Sequence, residues 1–120
     1  MENSYNLEER TALFSKKIII LIKSSKKDPL LFPILSQLLR AATSVGANYC
    51  EANGASSRKD FLNKIYICKK EAKETHYWLR LLETATPEKL AELADCRKEV
   101  HELTLIFSKI AVNAKNNQSK

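Results

Sequence analysis

Lys59, Asn63, Tyr66, Lys70, Lys73, Tyr77 and Arg80 recur at alternating steps of four and three along one stretch of the chain. At 100° per residue they share one helical face about 100° wide. Cations and tyrosines thus alternate over some 30 Å of helix. Lys and Arg pair with phosphates, and Tyr rings stack on unpaired bases, so the pattern points to nucleic-acid binding through a basic surface. It equally suits a solvated face with two tyrosines packed against a neighbouring subunit. Lys26, Lys27 and Arg58 add cations at what would be the ends of a bundle.

A second polar stripe runs through Gln37, Arg40, Ser44, Asn48 and Glu51. A solvated helix face would usually carry Lys and Glu, whereas Ser and Asn are poor helix formers with short reach. The stripe therefore reads as partly enclosed. Its groups would bond one another or another helix, or fix subunit register, or touch a ligand.

Catalytic arrangements are missing from the sequence. It holds no Gly-rich phosphate loop, no G-x-S-x-G elbow and no H-E-x-x-H. Glu71 and Glu74 lie three apart, and His76 falls at the wrong offset for the Glu-x-x-His ligands of di-iron bundles. Paired carboxylates can do acid/base work, but pairing with Lys or Arg of another segment accounts for these two. His76 and His101 stand alone, and Cys50, Cys68 and Cys96 are widely spaced, which suits three small buried apolar residues in a reducing compartment. We expect no enzyme, no metal and no cofactor, and no small-molecule substrate.

The elements that must position these residues are helices. In 120 residues there are only 2 Gly and 3 Pro, too few for a β architecture that turns every ~8–12 residues. Helix 1 is expected over 6–24, with Asn6 as cap and Glu9 completing a capping box. Helix 2 spans 33–52, with Pro33 in its first turn and Asn53-Gly54 as its stop. Helix 3 spans 57–84, capped by Ser57 with Asp60 near the positive end of the dipole. Helix 4 spans 87–114, opened by Thr86-Pro87-Glu88, with a frayed tail beyond. Short connections predict one domain over residues 1–120, an all-α, antiparallel up-down-up-down four-helix bundle.

The apolar faces define the core. Helix 3 offers Phe61, Ile65, Cys68, Ala72, Thr75, Leu79 and Leu82. Helix 4 offers Leu93, Val100, Leu103, Phe107, Ile110 and Ala114, with Leu90 and Leu105 at the edges. Helix 2 offers Leu35, Leu38, Leu39, Ala42, Val45, Gly46, Tyr49 and Ala52. Gly46 costs about 1 kcal/mol in a helix interior, so a close helix approach over Ala42 and Gly46 should offset it. Helix 1 is apolar on too many sides for a monomer. Besides Leu7, Phe14, Ile18, Leu21 and Ile22, it carries Leu13, Ile20 and Ile19 on other faces, so we expect a homo-oligomer.

Charge and hydropathy complete the picture. The net charge is +6 and the pI about 9.3. Residues 1–82 hold 14 basic and 8 acidic side chains, and residues 83–120 hold six of each. The basic part is a hint of a polyanionic partner, and such a charge also serves solubility. The longest apolar run, Ile18-Ile19-Ile20-Leu21-Ile22, is far short of the ~20 residues of a membrane span, and no leader pattern opens the chain. The expectation is an intact, soluble, cytoplasmic protein with no membrane partner.

The stretch Gln37-Leu38-Leu39-Arg40-Ala41-Ala42-Thr43-Ser44-Val45-Gly46-Ala47-Asn48-Tyr49-Cys50-Glu51-Ala52 resembles the signature of the bacterial four-helix-bundle proteins encoded in intervening sequences of 23S ribosomal RNA genes. So do Asp60-Phe61-Leu62, Lys70-Glu71-Ala72-Lys73-Glu74-Thr75 and Tyr77-Trp78-Leu79. The accessory variability-determinant proteins of diversity-generating retroelements are similar in fold. The resemblance covers residues 7–114. Gly46 stands where the family often has Pro, and Ala52 where it often has Gly, which alters the second half of helix 2. The resemblance implies a ring-like homopentamer with a basic surface, nucleic-acid binding to RNA or DNA, and no enzymatic activity, in a family whose role is largely uncharacterised. The alternative is a structural or protein-interaction adaptor with no nucleic-acid binding.

Overall fold

Leu7, Phe14, Ile18 and Leu21 carry one apolar stripe, and the first helix forms around it, α1 at Glu2–Lys23. The computed structural model describes the backbone of residues 2–119 and the side chains of residues 7–116. Three more helices follow: α2 at Phe32–Asn53, α3 at Arg58–Ala85 and α4 at Leu90–Ser119. There is no strand among the described residues, and the four helices form a bundle of 52 × 23 × 19 Å.

The helix boundaries test the capping argument. Ser57 caps α3 as expected, its Oγ accepting from the Asp60 N–H at 3.0 Å. Pro33 lies in the first turn of α2. Gly54 follows Asn53 with φ −101°, so α2 stops there without a left-handed residue. Asp28 caps a 3-10 turn at Pro29–Leu31, accepting from the Leu30 N–H at 3.0 Å.

Three expectations are corrected. α1 begins at Glu2 rather than Asn6, because burial of Leu7 anchors the turn before it. Asn6 is inside the helix, and its side chain lies outside the described residues. Thr86 does not cap α4: its hydroxyl donates to the Leu82 carbonyl at 2.7 Å and closes α3 instead. A 3-10 turn at Pro87–Lys89 then delays α4 to Leu90. α4 also runs on past residue 114 to Ser119, because no Gly or Pro interrupts the tail.

The core is the expected set with few changes. Phe14, Ile18, Leu38, Val45, Ile65, Leu79, Leu103 and Phe107 are fully buried. The Tyr49 and Phe107 rings lie 6.1 Å apart at 50°. Ala41 and Leu62 join the core, whereas Leu39, Leu90 and Leu105 are exposed because they sit at the margins of their stripes. The stretch Pro29–Asn53 is long and apolar enough to cross a membrane by length and composition alone. Its apolar side chains Leu35, Leu38, Ala42, Val45 and Tyr49 line this core.

Helix pairing differs from seam to seam. A Cβ built on Gly46 would lie 3.1 Å from the Thr11 hydroxyl oxygen and 3.2 Å from its Cβ. Gly46 therefore admits α1 against α2, as the small residues predict. The α1–α4 seam is bridged by charge: Arg10 to Glu99 and Glu102, both at 2.7 Å, and Lys17 to Asp95 at 2.5 Å. A partly open cavity of about 290 Å³ remains there, lined by Ile20, Leu21, Ser24 and Cys96 among others.

Candidate nucleic-acid interface

α3 is amphipathic, and its core stripe decides where the opposite face points. Ile65, Cys68, Ala72, Thr75, Leu79 and Leu82 are buried. In consequence Lys59, Asn63, Tyr66, Lys70, Lys73, Tyr77 and Arg80 are all exposed. Tyr66 retains 44% of its surface and Tyr77 50%. Two large aromatic faces on a polar helix are available to stack.

The ring positions are set by neighbours. Tyr77 meets Trp78 edge-on with centroids 5.1 Å apart. Trp78 is anchored in turn, its Nε1 donating to Glu74 at 3.0 Å. Tyr66 lines a shallow hollow of about 410 Å³ with Lys69, Lys70 and Lys73. Lys69 is not among the residues expected from sequence, and Trp78 enters there only through the Tyr77-Trp78-Leu79 resemblance, with no role at the site. Lys69 sits three residues after Tyr66, and that i,i+3 spacing was the available signal.

Charge bookkeeping leaves this face positive. Glu71 and Glu74 both pair with Arg40 across the α2–α3 seam, Glu71 at 3.1 Å. Glu83 pairs with Arg97 of α4. Lys70 has only a long contact to Glu71, at 3.8 Å. Among the described residues, Lys59, Lys73 and Arg80 make no ion pair. The carboxylates are turned to seams between helices, and the stripe keeps its surplus. Arg40 and Trp78 also act on Glu74: the indole N–H first, then the guanidinium, hold its carboxyl below the usual range against the opposing effect of burial.

The α2 polar stripe is bonded within the chain. Arg40 donates to Gln37 at 2.9 Å and reaches Glu71 and Glu74. Asn48 donates to the Ser44 carbonyl at 2.9 Å and to its hydroxyl at 3.0 Å. Lys64 of α3 donates to Glu51 at 2.7 Å. Arg40, Ser44, Asn48 and Glu51 thus make local and α2–α3 bonds, but Arg40 and Glu51 stay exposed and Ser44 and Asn48 half-buried, so the stripe is more open than expected. It brings Glu71 and Glu74 into intersegment pairing, as expected.

Cys68 and Cys96 are buried thiols as predicted, but Cys50 is exposed, because it lies one residue off the buried Tyr49 on the outer side of α2. Among the described residues, no group of three His, Cys, Asp or Glu side chains could hold a metal ion.

The fold is similar to that of a known structure, and the chain matches a known family. The model of the family described as 23S rRNA-intervening sequence protein matches residues 5–109. The chain belongs to that family. The crystal structure of a protein of unknown function from the S23 ribosomal protein family of Bacteroides thetaiotaomicron is similar to this intervening-sequence protein at 34% identity. The match covers 87% of this chain and 96% of that chain, with a TM-score of 0.79. No curated relative matches it. The family match spans α2 and α3 entirely, so both polar stripes lie inside it.

Proposed function

We propose that this intervening-sequence protein is a non-enzymatic, cytoplasmic, antiparallel up-down-up-down bundle. It assembles as a ring-like homopentamer and binds RNA or DNA through the α3 stripe. The binding claim is carried by one observation: Lys59, Tyr66, Lys70, Lys73, Tyr77 and Arg80 are exposed together, while Glu71, Glu74 and Glu83 of the same helix pair with Arg40 and Arg97. Cations then supply phosphate contacts and the tyrosines supply stacking.

The order of the ion pairs supports the antiparallel course. Arg10 meets Glu99 and the later Lys17 meets the earlier Asp95; Arg40 meets Glu71 and the later Glu51 meets the earlier Lys64. Self-association is supported by α1, where Leu13, Ile19 and Ile20 are 52%, 42% and 66% exposed. A ring needs two different patches per copy, and α4 carries a second pair in the exposed Leu105 and Val112.

The test is affinity for structured RNA and for duplex DNA at two salt concentrations. Binding should be largely sequence-independent and fall steeply with salt. The double variant K70E/K73E, altered at two exposed positions, should lose it at least about tenfold. No binding by the wild type at low salt sinks this reading. A second reading, a protein-interaction adaptor without nucleic-acid binding, draws on the same exposed tyrosines and α1 side chains. Partners that persist after nuclease treatment and are indifferent to salt favour it.

A further inference from the structure

His76 and His101 are far apart in sequence, and the bundle brings them to one groove. His76 is half-buried on α3 and His101 is exposed on α4. Both line two cavities of about 240 and 280 Å³ between these helices. Lys73 and Thr104 complete the first; Ala94, Arg97 and Lys98 complete the second. Arg80 and Glu83 act on His76 from its own helix, and Arg97 and His101 from α4.

The chemistry of this lining selects the sign of a ligand. Lys73, Arg97 and Lys98 line it as cations, Arg80 stands one turn beyond His76 on α3, and the nearby carboxylate, Glu83, is already held by Arg97. With Arg97 offset by Glu83, Lys73 and Lys98 leave the groove a net positive charge. The Arg97 Nε–H is buried and has no acceptor among the described residues, although an unmet buried donor is costly. A metal cation would be repelled here; an oxyanion would meet two imidazoles, the ammonium groups of Lys73 and Lys98 and the exposed part of Arg97.

We propose that this α3–α4 groove binds a phosphate group, held between Lys73, Arg97 and the two histidines. Lys73 and Arg80 belong to the α3 stripe as well, so the groove continues the basic surface around the helix. The proposal rests on the nucleic-acid reading only for the source of the phosphate, which is either a nucleic-acid backbone or free phosphate.

The groove also makes binding pH-dependent. Burial holds the His76 imidazole below its ordinary range, and Arg97, His101 and Arg80 add repulsion that Glu83 partly opposes. A bound phosphate relieves that repulsion and favours the imidazolium. By linkage, proton uptake then tightens phosphate binding as pH falls.

Histidine-ring NMR titrations of the intact protein, in inorganic phosphate and in chloride at equal ionic strength, decide the site. Phosphate should raise the His76 midpoint by about half a pH unit or more, and Lys73→Gln, at an exposed position, should diminish the rise. Superimposed phosphate and chloride curves overturn the site. The second measurement is the affinity of an unpaired RNA oligonucleotide at about pH 7.5 and about pH 5.5. A several-fold gain at the lower pH that disappears in H76Q/H101Q assigns the phosphate to the polymer. A phosphate response with pH-independent RNA affinity assigns the groove to free phosphate. RNA that binds without any phosphate response or pH dependence overturns the groove and leaves the α3 stripe standing. RNA that fails to bind removes the stripe's function, and the histidine titration alone then decides the groove.

Discussion

Cys50, Cys68 and Cys96 carry one functional group into three environments. Cys68 is enclosed between α2 and α3, with its Sγ 3.5 Å from the Val45 carbonyl. Burial pushes its pKa up to about 12. Such a thiol is ionised about once in ten thousand at pH 8. Burial also raises Cys96. Cys50 is exposed, and its modest rise comes from partial desolvation and then from Glu8. A thiol reagent at pH 8 should therefore label one cysteine per native chain, more slowly than a free cysteine, and three after denaturation. Counting modified thiols by mass spectrometry checks this. Rapid labelling of Cys68 in the native protein would contradict the packing of α2 on α3. The sequence gives their number, while burial sets their reactivity.

At the scale of elements, Gly46 is where α1 lies close against α2. Alanine at this position would gain about 1 kcal/mol of helix propensity. Its methyl group would also sit 3.1 Å from the Thr11 hydroxyl oxygen. Thr11 is 1% exposed and its hydroxyl is tied to the Glu8 carbonyl at 3.0 Å, so it has little room to yield. Overpacking of this kind costs about 1–3 kcal/mol. Gly46→Ala should accordingly be destabilised by roughly 1 kcal/mol net, despite the better helix former. Urea unfolding measures it, and a stabilised G46A would show that α1 can shift on α2. The periodic stripes of α2, α3 and α4 were readable because helical spacing repeats over many turns. The ends were less readable, since one hydroxyl can serve either of two neighbouring helices. Thr86 closes α3 because its backbone, at φ −132° and ψ 68°, leaves its side chain beside the Leu82 carbonyl.

For the whole molecule, the exposed apolar side chains of α1 make the strongest demand. Leu13, Ile19 and Ile20 remain open although Phe14, Ile18 and Leu21 beside them are buried. One helix cannot direct all of its sides into a single four-helix core. Light scattering should give a mass several times 13.7 kDa, near five copies for a pentamer. L13K/I20K should return it to the monomer while keeping its helical circular dichroism, because neither side chain belongs to the core. A wild-type mass of one chain would end the assembly reading.

The α3 stripe, the polar bonds predicted for α2 and the surplus grease of α1 all follow from the sequence. Each depends on spacing along a single helix, which the rise and twist of the backbone fix before any packing occurs. Tertiary structure decided what no single helix contains. It chose Arg40 as the shared partner of Glu71 and Glu74, brought His76 to His101, and placed Thr11 on Gly46. Those pairings depend on which helices neighbour one another and at what height. That choice comes from burying all four apolar faces at once, a condition on the whole chain rather than on any stretch of it.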